Sequence, residues 1–348
     1  MFLILIGRWI DLNNTLLEIN NLKTYFDTDQ GTVKAVDGIS FKVDKQKTVG
    51  IVGESGSGKT VTAQSILKIM PWPGKIVEGE ILFNKDDGEI VDIAKLGSKS
   101  DEIRRIRGKD IGYIFQEPMT SLSPIHKIGD QIMESILVHD KKINKKEAKN
   151  IAIELLRDVG MPNAESKVDN YTFQLSGGMR QRAMIAMALA NVPKLLIADE
   201  PTTAIDVTIQ AQILRLLKNL QKKYGMSILI ITHDLAVVAE MADEVVVMYL
   251  GKIVEKGNVF DIFDTPSHPY TKALLKSIPK KGSGKYLETI KGMVPDPFSI
   301  PQGCEFAPRC EFAIKGVCDK KKPPVVEIKD GHFSRCFLHT EQKESKNG

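Results

Sequence analysis

The octapeptide GESGSGKT, from Gly53 to Thr60, constrains the fold of this chain more than any other stretch. It satisfies the pattern G-x-x-x-x-G-K-[ST] in full. The apolar run TVGIVG stands before it, and the helical pattern KTVTAQSILKIM follows. Strand, glycine-rich turn and helix in that order open a parallel α/β unit. Gly53, Gly56 and Gly58, with Ser55 and Ser57 between them, let backbone N–H groups turn inward around phosphate oxygens. The helix N-terminus, at Lys59, Thr60 and Val61, adds the positive end of its dipole. Lys59 is placed to bridge the β- and γ-phosphates of a nucleoside triphosphate, and the Thr60 hydroxyl to ligate Mg2+.

The rest of the chain supplies the layers such a unit needs. LLEINNLKTYF and KAVDGISFKVD alternate in polarity and read as an antiparallel layer. KLLIADE and MSILIITHD are short apolar runs that end in polar residues, the pattern of central parallel strands buried on both faces. From Gln116 to Ala190 the pattern is mainly helical, with Ile151, Leu155, Leu156 and Val159 at helical spacing. VTIQAQILRLLKNLQKKYG is a helix stopped by Gly225, and EVVVMYLGKIVEKG a hairpin. After TPSHPY prolines become frequent, which places a boundary near Phe263.

Composition narrows the function classes. A net charge of +4 over 348 residues gives no concentrated basic stripe, so no nucleic acid partner is expected. The densest basic stretch, KKINKKEAKN from Lys141 to Asn150, has no aromatic and reads as a solvated face. The opening MFLILIGRWI is apolar for only ten residues, where a bilayer span takes about 20. It reads as a start-site extension or an interfacial contact, with no cleavage site of a signal peptide behind it. Any membrane part of the process must come from other chains.

Chemistry concentrates at strand ends. LLIADE closes with Asp199, a partner for Mg2+, and Glu200, which can orient or deprotonate an attacking water. ITHD sets His233 at the end of another strand, where it would hydrogen-bond a γ-phosphate. IFQEP sets Gln116 where a neutral amide can contact Mg2+ or the water. Phosphoryl transfer to water needs positioning and charge neutralisation more than covalent chemistry, and each of those roles has a candidate.

A second glycine element, LSGGMRQR from Leu175 to Arg182, finds no use in that scheme. Taken together, GESGSGKT, Gln116, LSGGMRQR, LLIADE, TTAID and His233 resemble the ATPase subunits of ABC transporters, in the family's order, over roughly Leu16 to Lys256. The resemblance implies an α/β fold, a P-loop NTPase of ABC type with an antiparallel β subdomain, a helical subdomain at about 117–190 and a small Cys-containing C-terminal extension. It implies that Ser176, Gly177 and Gly178 cap the γ-phosphate of ATP held by a partner subunit. Asp206 would lie in the loop that crosses that interface, where Ile205 replaces the usual leucine. Phe26 matches the aromatic that stacks on adenine, with Tyr25 as the alternative.

GESGSGKTVTAQSI, FQEPMTSLSP, HPYTKALLKSIP and GCEFAPRC further resemble the peptide importer branch, which shares these features with nickel importers. The implied domains are an N-terminal extension at 1–15, an ATPase domain at 16–263 and an oligopeptide/dipeptide transporter extension at 264–348. The implied partners are two transmembrane permease subunits, a second ABC ATPase subunit that is a related but different chain, and an extracytoplasmic peptide-binding protein. The implied location is the cytoplasmic face of the cell membrane.

All four cysteines, Cys304, Cys310, Cys318 and Cys336, fall in the proline- and glycine-rich extension. Three readings are open. Free thiols or a disulfide is one, the disulfide disfavoured in a reducing compartment. Structural Zn2+ is another, although the C-x2-4-C pairs of zinc knuckles are absent. A 4Fe–4S cluster, which also takes four thiolates, is the favoured expectation, with the role of stapling the extension.

Overall fold

The computed structural model describes residues 14–117, 121–203, 206–278 and 290–340 in full, and residues 2–5 and 8–11 as backbone only. Ile205, Pro279 and the tail EQKESKNG lie outside the described residues. In chain order the strands are β1 (Phe2–Leu5), β2 (Arg8–Asp11), β3 (Thr15–Thr28), β4 (Gly31–Asp44), β5 (Thr48–Val52), β6 (Gly74–Asn84), β7 (Ile90–Asp92), β8 (Ile111–Ile114), β9 (Leu195–Asp199), β10 (Ser227–Thr232), β11 (Glu244–Tyr249), β12 (Lys252–Asn258), β13 (Val326–Lys329) and β14 (His332–Ser334). The longer helices are α1 (Lys59–Leu67), α2 (Ile128–His139), α3 (Lys145–Asp158), α4 (Gly177–Ala188), α5 (Val207–Tyr224), α6 (Leu235–Met241) and α7 (Pro269–Lys276).

The chain divides into two compact units, each built from several stretches. The first takes in 1–17, 43–48 and 83–231. Its strands β8, β9 and β10 run parallel, with Ile111 and Ser227 both opposite Leu195. Every residue of β9 and β10 is buried, as the unbroken apolar runs require of a strand covered on both faces. Each Leu or Ile so buried contributes about 1.5–3 kcal/mol. Helices α2, α3 and α4 pack on one another. The core side of α3 is Ala148, Ala152, Leu155 and Leu156, while Lys141, Lys142, Lys145 and Lys146 of KKINKKEAKN stay exposed. Asn144 and Glu147 close a capping box at the start of that helix.

The second unit takes in 18–42, 49–82 and 232–348. Here β3 and β4 form a hairpin through a two-residue turn, and β6 pairs on the other side of β3. Thr24 of β3 shares a hydrogen bond of 2.8 Å with Ser65 of α1. The face that carries Thr24 and Phe26 is therefore the α1 side, and Tyr25 points to the opposite face, as strand alternation demands. In a second sheet the strands of this unit stand in the order β13-β14-β12-β11-β5. In it β11 is parallel to β5, and β12 and β14 are antiparallel. EVVVMYLGKIVEKG is thus a hairpin, but not an edge: β12 pairs with β14 across the point near Phe263 where the sequence changes character. The core of this unit gathers Val238, Val247, Ile262 and the rings of Tyr249, Tyr270 and Phe306. Those rings lie 4.7–5.3 Å apart, close enough for about 0.5–1.5 kcal/mol per pair beyond burial. Among the described residues, no helix is long and apolar enough to cross a membrane.

Candidate functional site

The loop from Gly53 to Gly58 is held by close backbone contact within its own unit. A Cβ on Gly53 would lie 2.2 Å from the Met248 carbonyl oxygen. One on Gly58, whose φ is +100°, would lie 2.2 Å from the Ala35 oxygen. Only glycine fits either place, the second for its left-handed backbone as well. Gly58 leads into α1 with no side chain capping the helix and no acidic residue in the first turn. An anion at this helix N-terminus would meet the positive end of the dipole and no carboxylate of the first turn. Lys59 is buried and its Nζ donates to the carbonyls of Gly53 and Glu54 at 2.8 and 3.0 Å. The Ser57 hydroxyl is buried with no hydrogen-bond partner among the described residues. An orphaned hydroxyl inside a cationic, N–H-lined loop fits a phosphate oxygen. Phe26 packs against the start of β6, its ring 2.6 Å from where a Gly74 Cβ would stand. Tyr25 is engaged elsewhere, donating to Asp37 at 2.6 Å.

In the other unit, β9 delivers Asp199 almost fully buried, with the Tyr113 hydroxyl donating to its Oδ2 at 2.9 Å. Burial, and then the Asp199 charge, push the Tyr113 phenol pKa up, so the tyrosine stays a donor. Glu200 follows with a φ of +47°, a strained conformation for a residue with a Cβ. Its N–H is fixed by the Ile231 carbonyl at 2.8 Å. Its Oε2 accepts from Thr203 at 2.7 Å and from Gln116 Nε2 at 3.1 Å. Gln116 and Glu200, far apart in sequence, are thus brought into contact. Sequence reasoning missed Tyr113 and Thr203. The threonine was visible as the second of the TT pair, while the tyrosine looked like one more strand aromatic.

The second glycine element has a different construction. Ser176 caps α4, its Oγ accepting from the Met179 N–H at 3.3 Å. A Cβ on Gly177 would meet nothing within 4 Å, and one on Gly178 only Ile209 at 3.6 Å. Ser176 and Gly177 are exposed. The residues behind them anchor the helix: Arg180 donates to the Thr172 carbonyl at 3.0 Å, Gln181 to Pro201 at 2.6 Å, and Arg182 to Val159. So MRQR fixes the helix while Ser-Gly-Gly stays open. Asp206 caps α5, accepting from the Ile209 N–H at 2.9 Å. His233 is exposed in the turn between β10 and α6, where Asp234 caps the helix and its own N–H donates to Thr232.

Comparison with known proteins fits these parts. The ABC transporter family model matches residues 36–203, which hold both glycine elements and the Asp199–Glu200 pair. The model of the oligopeptide/dipeptide transporter C-terminal region matches 254–318. The oligopeptide transport ATP-binding protein AppD of Bacillus subtilis is 50% identical over 331 residues, 94% of this chain and 98% of that protein. OppD of the same organism is 51% identical, over 93% of this chain and 88% of its own length.

This chain belongs to the ABC transporter ATP-binding family.

Among solved structures, the dimeric ATP-binding cassette MJ0796, in a post-hydrolysis state bound to ADP and Pi, aligns at a TM-score of 0.61 and 25% identity. It covers 70% of this chain and 99% of its own. The cbiO1 protein of Clostridium perfringens aligns at 0.60 with 28% identity, over 72% and 92%. The ABC family members are ATPases that bind ATP and Mg2+, and this chain is one of them.

The expectation for the cysteines is corrected. Among the described residues no group of three or more His, Cys, Asp or Glu side chains could hold a metal ion. The 4Fe–4S site assigned to Cys304, Cys310, Cys318 and Cys336 is not there, and the zinc alternative falls with it. All four are free cysteines bordering a small apolar pocket with Phe306, Phe312 and Pro323. Burial pushes the Cys304 thiol up to about 11 and raises Cys310 and Cys336 as well. Burial thus favours the protonated thiol at these three positions. They serve as small apolar residues of the extension.

Proposed function

We propose that this chain is the ATP-hydrolysing subunit of an importer of di- and oligopeptides. It would work at the cytoplasmic face of the cell membrane with two permease subunits, a second ATPase subunit and an extracytoplasmic peptide-binding protein. What carries the reading is one combination: a complete phosphate loop and an open Ser-Gly-Gly helix end, continuous with an oligopeptide/dipeptide transporter C-terminal region.

In this reading Phe26 stacks on adenine, and Gly53, Ser55, Gly56, Ser57, Gly58 and Val61 offer backbone and hydroxyl groups to the phosphates. Lys59 carries the charge that offsets the γ-phosphate. Thr60, Asp199 and Gln116 are the residues that would hold Mg2+, directly or through water, and the ion would neutralise phosphate charge; few protein ligands suit an ion that keeps its waters. Glu200, held by Thr203 and Gln116, aligns the attacking water and takes its proton. His233 donates to the γ-phosphate. Ser176, Gly177 and Gly178 close over ATP bound to another subunit, and Asp206 lies at that contact.

Glu200→Gln protein is expected to bind ATP normally and to hydrolyse it at least about 100-fold more slowly. Cells that lack the chain should lose uptake of labelled di- or oligopeptide, with rescue by the native chain and none by Glu200→Gln. Intact peptide uptake with lost nickel uptake would overturn the substrate assignment.

A further inference from the structure

Glu54 is an awkward residue for a phosphate loop. It places a carboxylate next to the backbone groups that receive a triphosphate, and like charges repel. The structure shows what becomes of it. The Arg309 guanidinium grips it in a fork, Nη1 to Oε2 at 2.6 Å and Nη2 to Oε1 at 3.0 Å. Arg309 is itself 4% exposed at its side chain. It is oriented by the Lys291 carbonyl, which accepts from Nε at 3.2 Å, and by the face of Tyr249, 5.8 Å from the guanidinium carbon. The backbone of Glu54 is held as well: its N–H donates to the Tyr270 hydroxyl at 2.9 Å, and its carbonyl accepts from Lys59. Tyr270 is fully buried against Tyr249 and Phe306. Both Tyr270 and Arg309 come from the C-terminal region, Arg309 from the GCEFAPRC stretch.

We propose that Arg309 and Tyr270 are positioning residues for nucleotide binding, by which the C-terminal region draws the Glu54 carboxylate away from the phosphates, neutralises it and fixes the loop. The inference rests on the reading of GESGSGKT as the phosphate loop. It gives the extension a role in the ATP site of its own chain. A bidentate guanidinium is the right group for the task, since it is always charged and matches both carboxylate oxygens.

The test is ATP affinity and steady-state ATPase of the full chain in four forms. Arg309→Met is expected to weaken ATP binding and raise KM by about 10-fold or more, while kcat falls by less than about threefold. Adding Glu54→Gln to Arg309→Met is expected to restore most of that affinity, since the unpaired charge is gone. A purely structural loss at Arg309 would not be repaired by that change. Tyr270→Phe, which keeps the ring, should weaken binding by a few-fold through the freed Glu54 N–H. Arg309→Lys is the fallback should the methionine form fail to fold, and it should lie between native and methionine affinity.

Lys59→Ala separates the two levels of the argument. If Lys59→Ala binds ATP like the native chain, the phosphate-loop reading fails. If Lys59→Ala loses binding and Arg309→Met does not, or if Glu54→Gln brings no recovery, the present inference fails alone.

Discussion

The two glycine elements are made of the same residue types and are built in opposite ways. In the phosphate loop, Ser57 is buried and the places where Gly53 and Gly58 would carry Cβ atoms are already filled by carbonyl oxygens 2.2 Å away. At the Ser-Gly-Gly helix end, Ser176 is exposed and the space around Gly177 is open to 4 Å. The first element needs glycine because its own chain crowds it. The second carries glycine although its own chain leaves room for a side chain at Gly177, which suits a surface that another molecule must approach. The loop is a cradle built by contacts within the chain; the helix end, in the function proposed above, is a donor surface for a ligand bound to another subunit.

The largest effect is expected where the crowding is greatest. Gly58→Ala adds a strained positive φ, about 1–3 kcal/mol, to an overlap with Ala35 of similar cost. We expect a loss of about 4 kcal/mol in stability, read by urea denaturation, and ATP binding too weak to measure by calorimetry. Native-like stability would remove the distinction between the two elements.

Acid should loosen the loop side next. His268 is buried and its Nδ1 accepts from the Tyr270 N–H at 3.1 Å, a bond that requires the neutral ring. Burial, against a smaller opposing pull from Glu255, holds its pKa down at about 4. A base with a lowered folded value contributes fully above the unfolded value near 6.5. That contribution is lost as pH falls from 6.5 towards 4, about 3 kcal/mol in all. Glu255 adds the same sign: burial raises it, but hydrogen bonds from His332 and the N–H groups of Ser267 and His268 win and lower it. Denaturation midpoints at pH 7.5 and 5 should therefore differ in the native chain, and differ less in His268→Gln.

Smaller changes are expected at the open element. Ser176→Ala removes the α4 cap and should cost about 1 kcal/mol in thermal stability. Gly177→Ala should alter it by no more than about 0.5 kcal/mol, with room for the methyl and a better helix former in place. A larger loss at Gly177 would show crowding the geometry does not contain.

Much of this was legible in the sequence for a physical reason. GESGSGKT specifies its own strand, turn and helix, and the runs KLLIADE and MSILIITHD announce buried strands by apolar content alone. What was hidden depends on contacts distant in sequence. Tyr113 matters because β8 and β9 pair, which sets its hydroxyl on Asp199. Arg180, Gln181 and Arg182 matter through carbonyls their own helix does not contain. The Arg309–Glu54 pair joins positions 255 residues apart, and no local pattern can signal it. The cysteines mislead in the opposite sense: residue type suggested a cluster, while among the described residues no group of side chains is arranged to hold a metal ion.

The most direct test compares Ser176→Arg with the native chain for ATP binding and for turnover across a dilution series. The account expects affinity within about threefold of native and turnover lower by at least about 100-fold, because only the phosphate loop is needed to bind and both elements to hydrolyse. Full turnover by Ser176→Arg, at dilutions where no association occurs, would contradict it.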